Sequence, residues 1–69
     1  MTTFKLDGKQ YIELNKLLKI QNLVGSGGEA KVRIRAGEAT VNGEVEWQVR
    51  KKLRPGDRVV FDGKEIAVK

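Results

Sequence analysis

Apolar and polar positions along this chain recur with two different periods, and the changes of period mark its elements. From Thr3 to Leu6 they alternate singly, which predicts a short strand with Phe4 and Leu6 facing inward, closed by the turn dipeptide Asp7-Gly8. Tyr11, Leu14, Leu17, Leu18 and Ile20 then recur mostly at three- and four-residue spacing, which predicts an amphipathic helix over 11–20 with Lys16 and Lys19 on its polar side. Leu23 and Val24 predict a buried connection to a second helix that opens at Ser26. The Ser26 hydroxyl can accept a first-turn N–H while Glu29, three residues on, reaches back, a capping box. Ala30 and Ile34 share that helix's buried stripe, Val32 is partly buried at best, and Gly37 stands where a left-handed terminating residue is needed.

Beyond Gly37 the period returns to two. Ala39-Thr40-Val41 reads as a strand, Asn42-Gly43 as a tight hairpin turn, and Glu44 to Trp47 as the return strand. Pro55-Gly56-Asp57 is a turn feeding Arg58-Val59-Val60-Phe61, and Asp62-Gly63 turns that strand back through Lys64 to Val68. The expected architecture is α+β: two packed helices against a small twisted antiparallel sheet, one domain over residues 1–69. Its expected core is Leu14, Leu17, Leu18, Leu23, Ala30, Ile34, Val41, Leu53, Val59 and Phe61.

With 69 residues the chain lies near the lower limit for a core without staples. There is no cysteine and no histidine, which removes disulfides, thiolate metal sites, the cysteine nucleophile and the usual general base. The one serine, Ser26, is better used as a cap, so no nucleophile–base pair is left and no catalysis, cofactor or small-molecule substrate is expected. Glu44 and Glu46 stand two apart on one strand face and read as solvent-facing partners of nearby cations, not as catalytic carboxylates. No apolar run approaches the roughly 20 residues that span a bilayer, and the first residues lack the apolar core of a secretory signal. A soluble, cytoplasmic monomer is the expectation.

Charge sharpens the picture. The formal net charge is +5, and residues 31–58 supply +4 of it. Lys31 and Arg35 stand at i and i+4 on one helix face, and Arg50-Lys51-Lys52 is the densest basic run. Arg33 points away from the Lys31/Arg35 pair. Gly25-Ser26-Gly27-Gly28 resembles a phosphate-cradling loop only superficially: a helix precedes it where a strand is required, and no Lys-Ser/Thr follows. A tight turn between helices, open to close approach by RNA backbone, fits it better. Trp47 reads as a core residue or an edge-strand cover, with stacking on an unpaired base as the alternative.

In this order these residues resemble the RNA-binding domain named after small-subunit ribosomal protein S-four, also called the alpha-L RNA-binding motif. The resemblance covers about residues 12–61. The family's Leu-Asp-Lys-x-Leu helix appears here as Leu14-Asn15-Lys16-Leu17-Leu18. Its second-helix and hairpin pattern is carried by Ser26, Gly27, Ala30, Lys31, Ile34, Gly37, Ala39, Val41, Asn42 and Gly43, and its Pro-Gly-Asp turn by Pro55-Gly56-Asp57. Gly27 replaces an arginine that many members use against phosphate, and Gln48 and Val49 interrupt the basic run that related small proteins continue. The chain is most similar to the small stand-alone bacterial members. In larger members the same module is attached to pseudouridine synthases, tyrosyl-tRNA synthetase or ribosomal proteins and delivers structured RNA.

The resemblance implies a non-catalytic binder of structured RNA, ribosomal RNA or tRNA, acting in ribosome assembly or RNA metabolism. The expected basic face comprises Lys16 and Lys19, Lys31 and Arg35, and Arg50, Lys51 and Lys52. The second helix and the hairpin are joined by Gly37 and a residue or two, which holds their basic groups near each other. An assembly module that sets the same face on an acidic protein is the alternative.

Overall fold

The computed structural model describes residues 2–69 as nine elements: β1 Thr2–Phe4, β2 Ile12–Glu13, α1 Leu14–Ile20, α2 Gly27–Arg35, β3 Ala39–Val41, β4 Glu44–Val45, β5 Lys52–Leu53, β6 Arg58–Phe61 and β7 Lys64–Val68. Five strands form one sheet in the order β1-β7-β6-β3-β4, and β2 and β5 form a separate two-stranded ribbon. Both helices pack on one face of the sheet. In β6 the alternation puts Val59 and Phe61 inward and leaves Arg58 and Val60 outward. The inward residues meet Leu14, Leu17 and Leu18 of α1 and Ala30 and Ile34 of α2 in one cluster, extended by Leu6, Ala39, Val41, Leu53, Ile66 and Val68. Nine of the ten expected core residues are buried; Leu23 is only half-buried, because the neighbouring Val24 fills the core from that connection.

The sheet is mixed, not wholly antiparallel as expected. Thr2–Phe4 runs parallel to Ile66–Val68, and the edge is extended by the Lys69 N–H donating to the Phe4 carbonyl and the Leu6 N–H to that of Lys69. Parallel pairing of strands so distant in the chain leaves no local trace in the sequence.

The first helix is shorter than its periodicity predicts. Ile12–Glu13 is extended and pairs antiparallel with Lys52–Leu53, so Tyr11 lies outside the helix and Ile20, at its last turn, is exposed. No side chain caps α1. The Leu14 N–H instead donates to the Lys51 carbonyl (2.9 Å) and the Asn15 N–H to that of Val49 (3.1 Å). The free donors of a helix start must find acceptors somewhere, and here the chain's own basic segment supplies them.

Both helices end in the same way. The residue past each C-cap, Asn22 (φ 59°) and Gly37 (φ 82°), is left-handed. The following N–H reaches back across the last turn, from Leu23 to the Leu18 carbonyl and from Glu38 to that of Arg33. At the start of α2 the Glu29 N–H donates to the Ser26 hydroxyl (3.1 Å), while Glu29 Oε1 accepts from the Gly25 N–H (2.7 Å), one residue earlier than the standard capping box. Ser26→Ala is expected to lower stability by about 1 kcal/mol in urea unfolding. A fall in RNA affinity with no change in stability would make the serine a ligand contact instead.

Candidate nucleic-acid interface

The short β2–β5 ribbon organises the basic segment. Its inner face carries Ile12 and Leu53, both buried, so the outer face carries Glu13 and Lys52, paired in register, with Tyr11 and Arg54 one step beyond. The Lys52 ammonium lies 5.0 Å from the Tyr11 ring centroid and the Arg54 guanidinium 5.7 Å, so one aromatic ring holds two cations.

Glu13 anchors two more. Its Oε2 accepts from Arg50 Nε at 3.0 Å, and its Oε1 faces the Lys16 ammonium at 3.4 Å. The carboxylate side chain is 12% exposed against 66% and 75% for its two partners, so the anchor is largely covered while the cations stand in solvent. Burial pushes the Glu13 carboxyl up, but the hydrogen bonds and charges of Arg50 and Lys16 outweigh it and hold the group below its ordinary value. A carboxylate whose folded value is depressed contributes stability above its unfolded value, and that contribution is lost as pH falls through the folded one. Glu13→Gln is therefore expected to lower the melting temperature at neutral pH and to leave stability flatter than the parent's through the acid range below the ordinary carboxylate value. Parallel pH profiles for the two proteins would remove Glu13 from this role.

The hairpin and the turn after β5 are tied together by two side chains. Asn42 Nδ2 donates to Asp57 Oδ1 (3.0 Å), the Arg58 N–H to Asn42 Oδ1 (2.9 Å) and the Arg54 N–H to Asp57 Oδ2 (2.8 Å). Asn42 (φ 54°) and Gly43 (φ 87°) are both left-handed, as a two-residue hairpin of this hand requires. Lys51, Lys52 and Arg54 thereby border a concavity whose other wall is the hairpin, including Glu44 and Glu46. Those two glutamates form no ion pair among the described residues; Glu46 Oε2 instead accepts from the Gln48 N–H (3.1 Å).

On α2, Lys31, Val32, Arg35 and Ala36 make one exposed stripe. Neither Lys31 nor Arg35 forms an ion pair among the described residues, and the same holds for Lys19, Lys51, Lys52 and Arg54. Arg33, on the other side, is spent on the fold. It pairs with Glu38 (2.8 Å) and Glu29 (3.7 Å), and its guanidinium covers the Phe61 ring at 4.5 Å. The Glu38 hydrogen bond dominates its surroundings and raises its already high pKa further.

Three sets of cations therefore exist. Lys16 and Arg50 share Glu13, Lys52 and Arg54 share Tyr11, and Lys31 and Arg35 are set by helical spacing. Lys51 lies between the first two, and Lys19 stands one turn beyond Lys16. Segment 46–49 spans from the α2 end to the α1 start, with Trp47 against Gly37 and the Val49 carbonyl on Asn15. Trp47 is a cover and not a core residue: it is 60% exposed.

Sequence reasoning missed Glu13, Tyr11 and Arg54 as members of this surface. The i,i+3 spacing of Glu13 and Lys16 was the available signal for the first. The pairing that brings Tyr11 to Arg54 has none.

The profile of the family described as S4 domain matches residues 4–69. The Escherichia coli (strain K12) protein named "Putative RNA-binding protein YbcJ" is 38% identical over 68 residues, covering 99% of this chain and 97% of its own. The Shigella flexneri protein named "Uncharacterized protein YbcJ" matches with the same identity and coverage. The solution structure of YbcJ from E. coli, described as revealing an αL motif involved in RNA-binding, superposes with a TM-score of 0.74 and covers 99% of this chain and 86% of its own.

Proposed function

Because this chain belongs to the S4 domain family, we propose that it is a non-catalytic binder of structured RNA, ribosomal RNA or tRNA, that acts as a monomer in ribosome assembly or RNA metabolism. The observation that carries this reading is a group of exposed cations left without an internal carboxylate, Lys31 and Arg35 on α2, Lys52 on β5 and Arg54 just beyond it. Double-stranded RNA hides its base edges in a deep, narrow groove, so a protein grips it through phosphates and shape. Cations on separate, rigidly tied elements suit that task, and each phosphate neutralised releases counterions. No chemistry is assigned to the chain. Its one serine hydroxyl is engaged by the Glu29 N–H, and the sequence has neither histidine nor cysteine to activate a nucleophile.

Crosslinking in cells followed by sequencing of the bound RNA tests the reading, with enrichment of ribosomal RNA or tRNA as the expected result. In vitro, those RNAs should displace a labelled structured RNA, whereas polyglutamate at equal charge should not. Displacement by polyglutamate alone would favour an acidic protein partner.

A further inference from the structure

Trp47 is the only tryptophan in the chain and stands 60% exposed, outside the core cluster. Its position is built. Gly37 is left-handed, and a Cβ placed there would lie 3.0 Å from Trp47 Cη2 and 3.3 Å from Cζ3. The absence of a side chain at Gly37 thus lets the far edge of the six-membered ring rest on backbone while the rest of the indole stays open. Val45, itself 44% exposed, lies 3.7 Å from the same point and flanks the ring. Two residues before Gly37 is Arg35, and one turn before that Lys31, both exposed and free of carboxylates among the described residues. An open aromatic surface at the residue that ends α2 is thus followed back along the helix by two free cations, Arg35 in its last turn and Lys31 one turn earlier.

We propose that Trp47 is a stacking platform for an unpaired base of the bound RNA, with Arg35 and Lys31 on the phosphates flanking that base. The inference rests on the RNA-binding reading and narrows its ligand. A base inside a continuous duplex has no free face, so the preferred RNA carries a bulge, loop or junction beside its helix. An indole accepts the π-face of any base, so the site selects for an unpaired nucleotide without selecting its identity. The cations supply the charge complementarity that an isolated apolar patch lacks.

The test compares the full chain on two RNAs at low salt: a fully paired hairpin, and the same hairpin carrying a short bulge. Emission from the single tryptophan should be quenched by the bulged RNA and little changed by the paired one. Trp47→Ala should weaken binding of the bulged RNA roughly 5- to 100-fold and bring it down to the paired RNA's affinity, which itself should not move. Trp47→Phe, which keeps an aromatic face in place, should retain most of the preference and guards against misfolding of the alanine variant. Equal affinity of the parent for both RNAs, or an equal loss on both in Trp47→Ala, would overturn the stacking role and leave the RNA-binding reading standing. If neither RNA binds, both fall together.

Discussion

Leu18→Ala is expected to lower the unfolding free energy by roughly 2–4 kcal/mol. Leu18 is fully buried and sits where α1, α2 and the sheet share one cluster. Truncation removes the transfer energy of the lost methyl and methylene groups. It also leaves a cavity that the surrounding leucines and Phe61 cannot close without moving a helix. The backbone role of the residue survives, because the Leu18 carbonyl still accepts from the Leu23 N–H at the end of α1. The loss is large against the stability such a chain commands, on the order of 5 kcal/mol for domains of this size. Urea unfolding at room temperature should show a much lower midpoint with the slope unchanged. A melting temperature within a couple of degrees of the parent would mean that Leu18 does not occupy the core.

What sequence could reveal follows from where the determinants lie. The turns at Asn42-Gly43 and Asp62-Gly63 were legible because a left-handed pair of residues admits few side chains, and both pairs adopt that conformation. Ser26, Gly37 and the alternation in β6 were legible for the same reason: their cause and their effect lie within a few residues. The start of α1 was not. Its acceptors are the carbonyls of Val49 and Lys51, over thirty residues away, and Tyr11 fits the helical spacing three residues before Leu14 although Ile12–Glu13, between them, is extended and paired with Lys52–Leu53. The parallel β1–β7 pair is nonlocal in the same way. At the candidate site the cations of helix 2 and of the basic run could be picked out as a set. Of their anchors, Tyr11 meets both its cations across the β2–β5 pairing and leaves no local trace. Glu13 meets Arg50 from far along the chain, and only its i,i+3 spacing to Lys16 is local. For Trp47 the sequence left core and edge-strand cover open, and the structure makes it a cover, seated on the missing side chain at Gly37, ten residues away.

Lys31→Glu combined with Lys51→Glu is expected to abolish binding to structured RNA while the protein stays folded. Lys31 stands on the exposed stripe of α2, and Lys51 borders the concavity between the ribbon and the hairpin, so the pair takes one cation from each side of segment 46–49. Neither forms an ion pair among the described residues, so no internal carboxylate loses a partner when the sign is reversed. A reversal replaces a favourable phosphate contact with a repulsive one, and two such changes act on the electrostatic term that supplies most of the affinity. Arg58→Glu is the matched control, since it alters net charge as much as either single reversal. Arg58 extends from the sheet face opposite the helices and pairs with Glu65 at 3.3 Å, an exposed pair whose loss costs no more than about 1 kcal/mol. The control should therefore bind nearly as the parent does. Affinity of the parent should itself fall by orders of magnitude between about 50 and 200 mM salt if six or more phosphates are engaged, and the single reversal at Lys51 should make that fall shallower. Circular dichroism melts of all variants separate lost binding from lost folding. If Arg58→Glu weakened binding as much as Lys51→Glu, RNA would be sensing only the overall charge of the chain, and a defined basic face would be excluded.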